Sequence, residues 1–206
     1  MGMPLLVLQD DIDDVRNRVF AAVDRPLDQL TVEEICQKAG ISKQTFYTRF
    51  SSKFDISNWF CHHYEAQFLY EVGRTLTWEE GLLALFKTYA SRGRFLYYTS
   101  LQQHSDVEPT KARHRAAIVE TLENHRGVKV TQDVAFLIEA FLELEVFLAG
   151  EWFKAGLNPA PEAFAKLFLE CIPRKLYDLM QLPDKPGQPN TQAPGSLFAR
   201  YYPQKL

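Results

Sequence analysis

The sequence predicts an all-α fold, with an N-terminal three-helix head that contains a helix-turn-helix and a C-terminal helical bundle behind it. Three observations carry this. Residues 30–53 read as two capped helices joined at a glycine corner, apolar residues recur at intervals of three and four along much of the remaining chain, and two densely apolar helices precede the tail. The chain has 206 residues, 46% of them hydrophobic, which is ample for a core, and a net charge of −3.

Taken in order, residues 1–9 are apolar but lack the basic leader and small-residue cleavage site of a secretory signal. Asp10 or Asp11 is expected to cap the first helix, where Ile12, Val15, Val19, Ala22 and Val23 share a face. Arg16 and Arg18 project elsewhere, toward a phosphate or toward Asp13 and Asp14 as ion-pair partners. Pro26 ends this helix, and Leu27 and Leu30 fill the gap before the next. Thr31 and Glu34 form a capping box, with Val32, Ile35, Cys36 and Ala39 as the buried stripe. Gly40 stands where a left-handed residue commonly ends a helix, Ile41 plugs the corner, and Ser42 caps a second helix from Lys43 to about Phe50. Phe46 and Phe50 face inward on it.

No acidic residue lies between Ile35 and Phe54, whereas Lys38, Lys43, Arg49 and Lys53 do, in a chain of net negative charge. A basic face on an acidic protein points to a local anionic partner. A helix-turn-helix sets its second helix in the DNA major groove, so Lys43, Gln44 and Thr45 are candidates for base edges and Tyr47, Arg49 and Lys53 mainly for phosphates. On pattern alone, a surface hairpin with solvated lysines remains the alternative.

The run TVEEICQKAGISKQTFYTRFSSKFDI resembles the DNA-binding motif of the TetR/AcrR family of bacterial transcription regulators, with Thr31, Ile35, Ala39, Gly40, Ser42, Thr45, Tyr47, Phe50 and Lys53 at matching positions. The resemblance covers about the first third of the chain. It implies phosphate contacts for Tyr47 and Lys53, and for Thr31 as well. Arg49 departs from the family's more usual His but keeps a donor, and VDRPLDQL replaces the commoner glycine-containing turn before Thr31. The combination of that approach, QTFY and KFDISNW looks like a subgroup that includes regulators of dihydroxyacetone kinase operons.

Beyond Lys53 a longer helix is expected to about Thr75, with Phe54, Trp59, Phe60, Tyr64, Phe68 and Val72 apolar. His62 and His63 are adjacent, point to different faces and cannot share a metal, so no metal site is expected. Helices follow at about 78–90 and 95–104, a loop at 105–109, and an Arg-rich helix at about 110–125 closed by Gly127. Phe95, Leu96, Tyr97 and Tyr98 suit either core or pocket lining, while His114 and Arg115 suit either an anionic ligand or a solvated face. Helices at about 132–155 and 161–182 carry more apolar surface than one monomer can bury, with Pro173 kinking the second. Glu139 and Glu143 stack on the first of them, as an acidic rim or as a polar contact within a pocket. Cys36, Cys61 and Cys171 read as reduced core residues. Beyond residue 183 the composition turns to Pro, Gly, Gln and Asn.

The expected organisation is a DNA-binding head at 8–53, a ligand-binding and dimerisation body at 54–182, and a Pro-rich tail at 183–206. The resemblance implies a cytoplasmic homodimer that binds a palindromic operator on double-stranded DNA and is released by a small-molecule effector, as a repressor. The alternative is an activator whose body binds a partner protein. No cofactor is expected. No metalloprotease, nucleophile-elbow, P-loop or dinucleotide pattern occurs, and no stretch reaches a membrane-span length, so neither an enzyme nor a membrane protein is expected.

Overall fold

The computed structural model describes residues 13–101 and 107–182, and among them every regular element is helical. The chain divides into two compact units, residues 13–59 with 94–101, and residues 60–93 with 107–182.

In the first unit α1 spans Asp14–Ala22, a 3-10 turn Leu27–Gln29, α2 Val32–Ala39 and α3 Lys43–Tyr47. The expected caps Asp10 and Asp11 lie outside the described residues; α1 is capped by Asp13, which accepts from the Arg16 backbone N–H at 2.9 Å. Arg16 and Arg18 take the ion-pair reading, to Asp13 at 2.5 Å and Asp14 at 2.9 Å. Arg16 also lies 4.1 Å over the Trp59 ring, which commits it further to the unit's own packing. Val19, Phe20, Leu27, Leu30, Ile35, Phe46 and Phe50 make a common core, each 2% exposed or less. α3 is shorter than its sequence pattern suggested: it stops at Tyr47, with Thr48 as its cap, and the chain reaches Phe50 through a turn in which Arg49 and Phe50 both donate to the Phe46 carbonyl.

α4, Asp55–Gln67, runs from the first unit into the second and stops eight residues before the expected end at Thr75. The apolar spacing continues past Gln67, but hydrogen bonding does not. The Tyr70 N–H turns back to the Glu65 carbonyl, the Glu71 carbonyl gathers the N–H groups of Arg74, Thr75 and Leu76, and Gly73 takes φ +78°. An added Cβ at Gly73 would sit 2.8 Å from the Met180 carbonyl oxygen, so both backbone angle and space require glycine. Leu69 and Val72 are therefore buried from a turn.

α5, Trp78–Ser91, begins with a second capping box, Thr77 with Glu80, and packs along α9. α6 is Gly93–Ser100 and α7 Glu108–Glu120, with Pro109 in its first turn, where proline costs nothing, instead of in a loop. The expected helix to His125 changes to a wider π turn at Thr121–His125 before Gly127. α8, Gln132–Lys154, follows its pattern closely. The last expected helix is two: Pro173 breaks it into α9, Pro161–Glu170, and α10, Arg174–Leu179. Of the cysteines, Cys36 is buried, Cys61 half-buried, and Cys171 exposed, so Cys171 is not a core residue.

Candidate nucleic-acid interface

The helix-turn-helix is held by local chemistry that the sequence spells out. Thr31 accepts from the Glu34 N–H at 3.1 Å, and Glu34 returns to the Thr31 N–H at 2.8 Å. That backbone N–H, then the Thr31 hydroxyl and Arg25, hold the Glu34 carboxyl down to about 2. Thr31→Ala removes the cap and is expected to cost about 1 kcal/mol, read as a lower thermal midpoint; no change would mean that tertiary packing alone sets the start of α2. Gly40 adopts φ 63°, ψ 41° and closes α2. Arg18 reaches across from α1 and donates to the carbonyls of Ala39 at 3.1 Å and Gly40 at 3.3 Å. Nothing in the spacing of Arg18 signalled this clamp on the corner.

Ser42 caps α3, accepting from the Thr45 N–H at 2.9 Å, and its hydroxyl meets the Thr45 hydroxyl at 2.9 Å. These two are thus partly committed to building the helix start. Lys43 is exposed and pairs with Glu33 at 3.0 Å, a contact that salt and water screen. Gln44 is exposed beside it. Tyr47 is 56% exposed although its ring stands edge-on to Phe46 at 5.3 Å. Lys43, Gln44 and Tyr47 therefore form an outward surface on one five-residue helix.

Two of the expected phosphate ligands are tied inward. Arg49 donates to Asp13 at 3.1 Å and to the Thr48 hydroxyl at 3.2 Å, linking the turn after α3 to the cap of α1. Burial disfavours the Asp13 carboxylate, but the Arg16 N–H and the two guanidinium groups outweigh it and hold its pKa below the usual range. Lys53 donates to the carbonyls of Leu30 at 2.6 Å and Asp28 at 3.1 Å, fastening the segment before Thr31. An ammonium has three protons, so Lys53 retains one for another acceptor.

The second unit holds a different chemistry. The basic α7 lies along the acidic face of α8: Arg115 pairs with Glu139 at 2.5 Å, and Lys111 with Glu143 at 2.7 Å. Glu139 and Glu143 thus have cationic companions, and Arg115 is engaged by a carboxylate of its own chain. His114 is not on a solvated face; it is 2% exposed and 2.6 Å from Glu145. Burial opposes its charged form, and the Glu145 carboxylate outweighs burial, so its pKa stands above the ordinary value. Glu65, also buried, accepts from the hydroxyls of Tyr70 at 3.2 Å and Tyr89 at 3.3 Å. Burial first, then the nearby Glu145, raise its pKa to about 7. On α8, Phe136 and Phe147 are 72% and 62% exposed, and Leu167 on α9 is 53% exposed. Among the described residues no group of His, Cys, Asp and Glu could hold a metal ion, and no helix is long and apolar enough to cross a membrane.

Residues 20–57 match the family model of the bacterial regulatory proteins of the tetR family. None of the curated proteins matches the chain. Among solved structures, a dihydroxyacetone kinase operon activator, DhaS, superposes with a TM-score of 0.45 at 15% identity, covering 77% of this chain and 96% of that one.

Proposed function

We propose, from the match of residues 20–57 to the family model of the bacterial regulatory proteins of the tetR family, that this chain is a regulator of that kind, a repressor that binds a palindromic operator as a homodimer and is released by an effector. The observation that carries DNA recognition is the outward surface of α3, where Lys43, Gln44 and Tyr47 stand exposed on a helix fixed from below by Phe46. In this reading the head is 8–53, the regulatory and dimerisation body 54–182, and the tail 183–206. Lys43, Gln44 and Thr45 meet base edges; Tyr47, Arg49, Lys53, Thr31 and Ser42 meet the backbone. An effector in the body shifts α4 and with it the spacing of the two heads.

The exposed Phe136, Phe147 and Leu167 support a dimer built on α8 and α9, because large apolar side chains left on the outward faces of two consecutive helices are what a partner copy would cover. The double substitution Phe136→Glu, Phe147→Glu is expected to convert the dimer to a monomer in light scattering and to weaken operator binding at least tenfold. A dimer that survives both changes would move the interface elsewhere. For the phosphate contacts, Tyr47→Phe is the cleaner test than Lys53→Ala, since Lys53 also holds two backbone carbonyls. Loss of affinity across all duplex sequences is expected; an unchanged affinity would remove Tyr47 from the interface.

A further inference from the structure

In the first unit a concavity of about 350 Å³ opens among the later part of α1, the end of α2 and the start of α6. Three cations, Arg18, Lys38 and Arg94, stand on its wall with one carboxylate, Asp24, over Ala22 and Ala39. Lys38 pairs with Asp24 at 2.6 Å, so these two charges offset each other. Arg18 pairs with Asp14 at 2.9 Å, but that carboxylate is 82% exposed and the pair is screened by water. Arg94 makes neither an ion pair nor a hydrogen bond among the described residues; its guanidinium lies 5.9 Å from the Tyr98 ring centroid.

We propose that this concavity binds a small phosphate-bearing anion, held by the guanidinium groups of Arg94 and Arg18. The planar fork of Arg94 suits phosphate oxygens better than an ammonium does, because it can present paired N–H donors to one group, and Arg18 adds the two protons of its Nη2, its Nε and Nη1 being engaged by Asp14 and by the Ala39 and Gly40 carbonyls. The volume falls within the range of small-molecule sites, so a phosphate and part of an organic remainder fit. The site lies apart from the exposed face of α3 and draws on α6, which contributes nothing to the DNA reading above. It nevertheless touches the helix-turn-helix. The Arg18 guanidinium that would meet the anion through Nη2 also holds the Ala39 and Gly40 carbonyls through Nη1, immediately before Ser42 begins α3. Occupancy therefore acts on the corner that aims the recognition helix, independently of any effector in the body.

Pyrophosphate is the probe, titrated into the full-length protein by calorimetry and thermal shift at constant ionic strength. Saturable binding is expected, with affinity at least tenfold weaker in Arg94→Ala and partly retained in Arg94→Lys, which keeps the charge and loses the fork. Arg94 is exposed, so Arg94→Ala should keep the wild-type thermal midpoint without the anion. Operator affinity of the wild type should change several-fold with saturating pyrophosphate, and that of Arg94→Ala should not. Absence of saturable binding, or equal binding by wild type and Arg94→Ala, would overturn the proposal. So would a variant that binds no less pyrophosphate but shows a flatter salt dependence of DNA affinity, since that assigns Arg94 to the DNA backbone.

Discussion

Phe46→Ala is expected to destabilise the first unit by about 3–5 kcal/mol and to abolish operator binding with it. Phe46 is fully buried, and its ring meets Phe50 at 5.3 Å, which in turn meets Phe20 and Trp59, each at 6.5 Å. α3 has five residues, far too few to be helical without tertiary support. Its orientation therefore depends on this ring cluster, together with the Ser42 cap. A loss of that size is a large fraction of the 5–15 kcal/mol that typically holds a domain together. Urea unfolding followed by circular dichroism measures it, with Tyr47→Phe as the control, because that change leaves the buried rings in place. A cost below about 1 kcal/mol for Phe46→Ala would mean that α3 is positioned by something other than its aromatic anchor.

The second large effect is on pH. Glu65 is raised by burial and by Glu145 to about 7 in the folded chain, against an ordinary value near 4.5. A carboxyl whose pKa rises on folding contributes stability that is fully present below the unfolded value and is lost as pH climbs through the folded one. His114 has the same sign: its pKa is raised by Glu145, so its contribution is present below 6.5 and is lost as pH rises past its folded value. The unfolding midpoint should therefore fall between pH 5 and pH 8, with Glu65 and His114 both contributing to the loss. Glu65→Gln keeps an acceptor for the Tyr70 and Tyr89 hydroxyls and removes the titration. It should flatten the fall, and be the more stable protein at pH 8. His114→Ala removes its contribution too and leaves the half-buried Glu145 without its partner, so it should lower the midpoint. A midpoint that rises with pH over this range would contradict the placement of these charges.

The helix-turn-helix is legible in the sequence because its determinants are local. A capping box spans three residues, the left-handed corner one, and the inward pair Phe46 and Phe50 is separated by a single turn, so each can be read without knowing the fold. What the sequence did not reveal are the partners that tertiary structure supplies. Arg49 and Lys53 look like free cations in the sequence because Asp13 and the carbonyls of Asp28 and Leu30 are 23 to 36 residues away from the side chains they bind. The same holds for Glu139 and Glu143, whose cations sit on another helix. α4 was overextended because apolar spacing survives in the turn after Gln67, where burial of Leu69 and Val72 obeys the core and not the helix. Pro173 was recognised, but a break that starts a new helix and a kink within one differ in hydrogen bonding that the sequence does not display.

The most direct test of the DNA-binding account is fluorescence anisotropy of the intact protein with labelled duplex from beside its own gene, titrated in salt and against random duplex. The account predicts salt-sensitive binding at least a hundredfold tighter than to random DNA, with two subunits per site. Equal affinity for both duplexes and for a broad set of genomic fragments would contradict it.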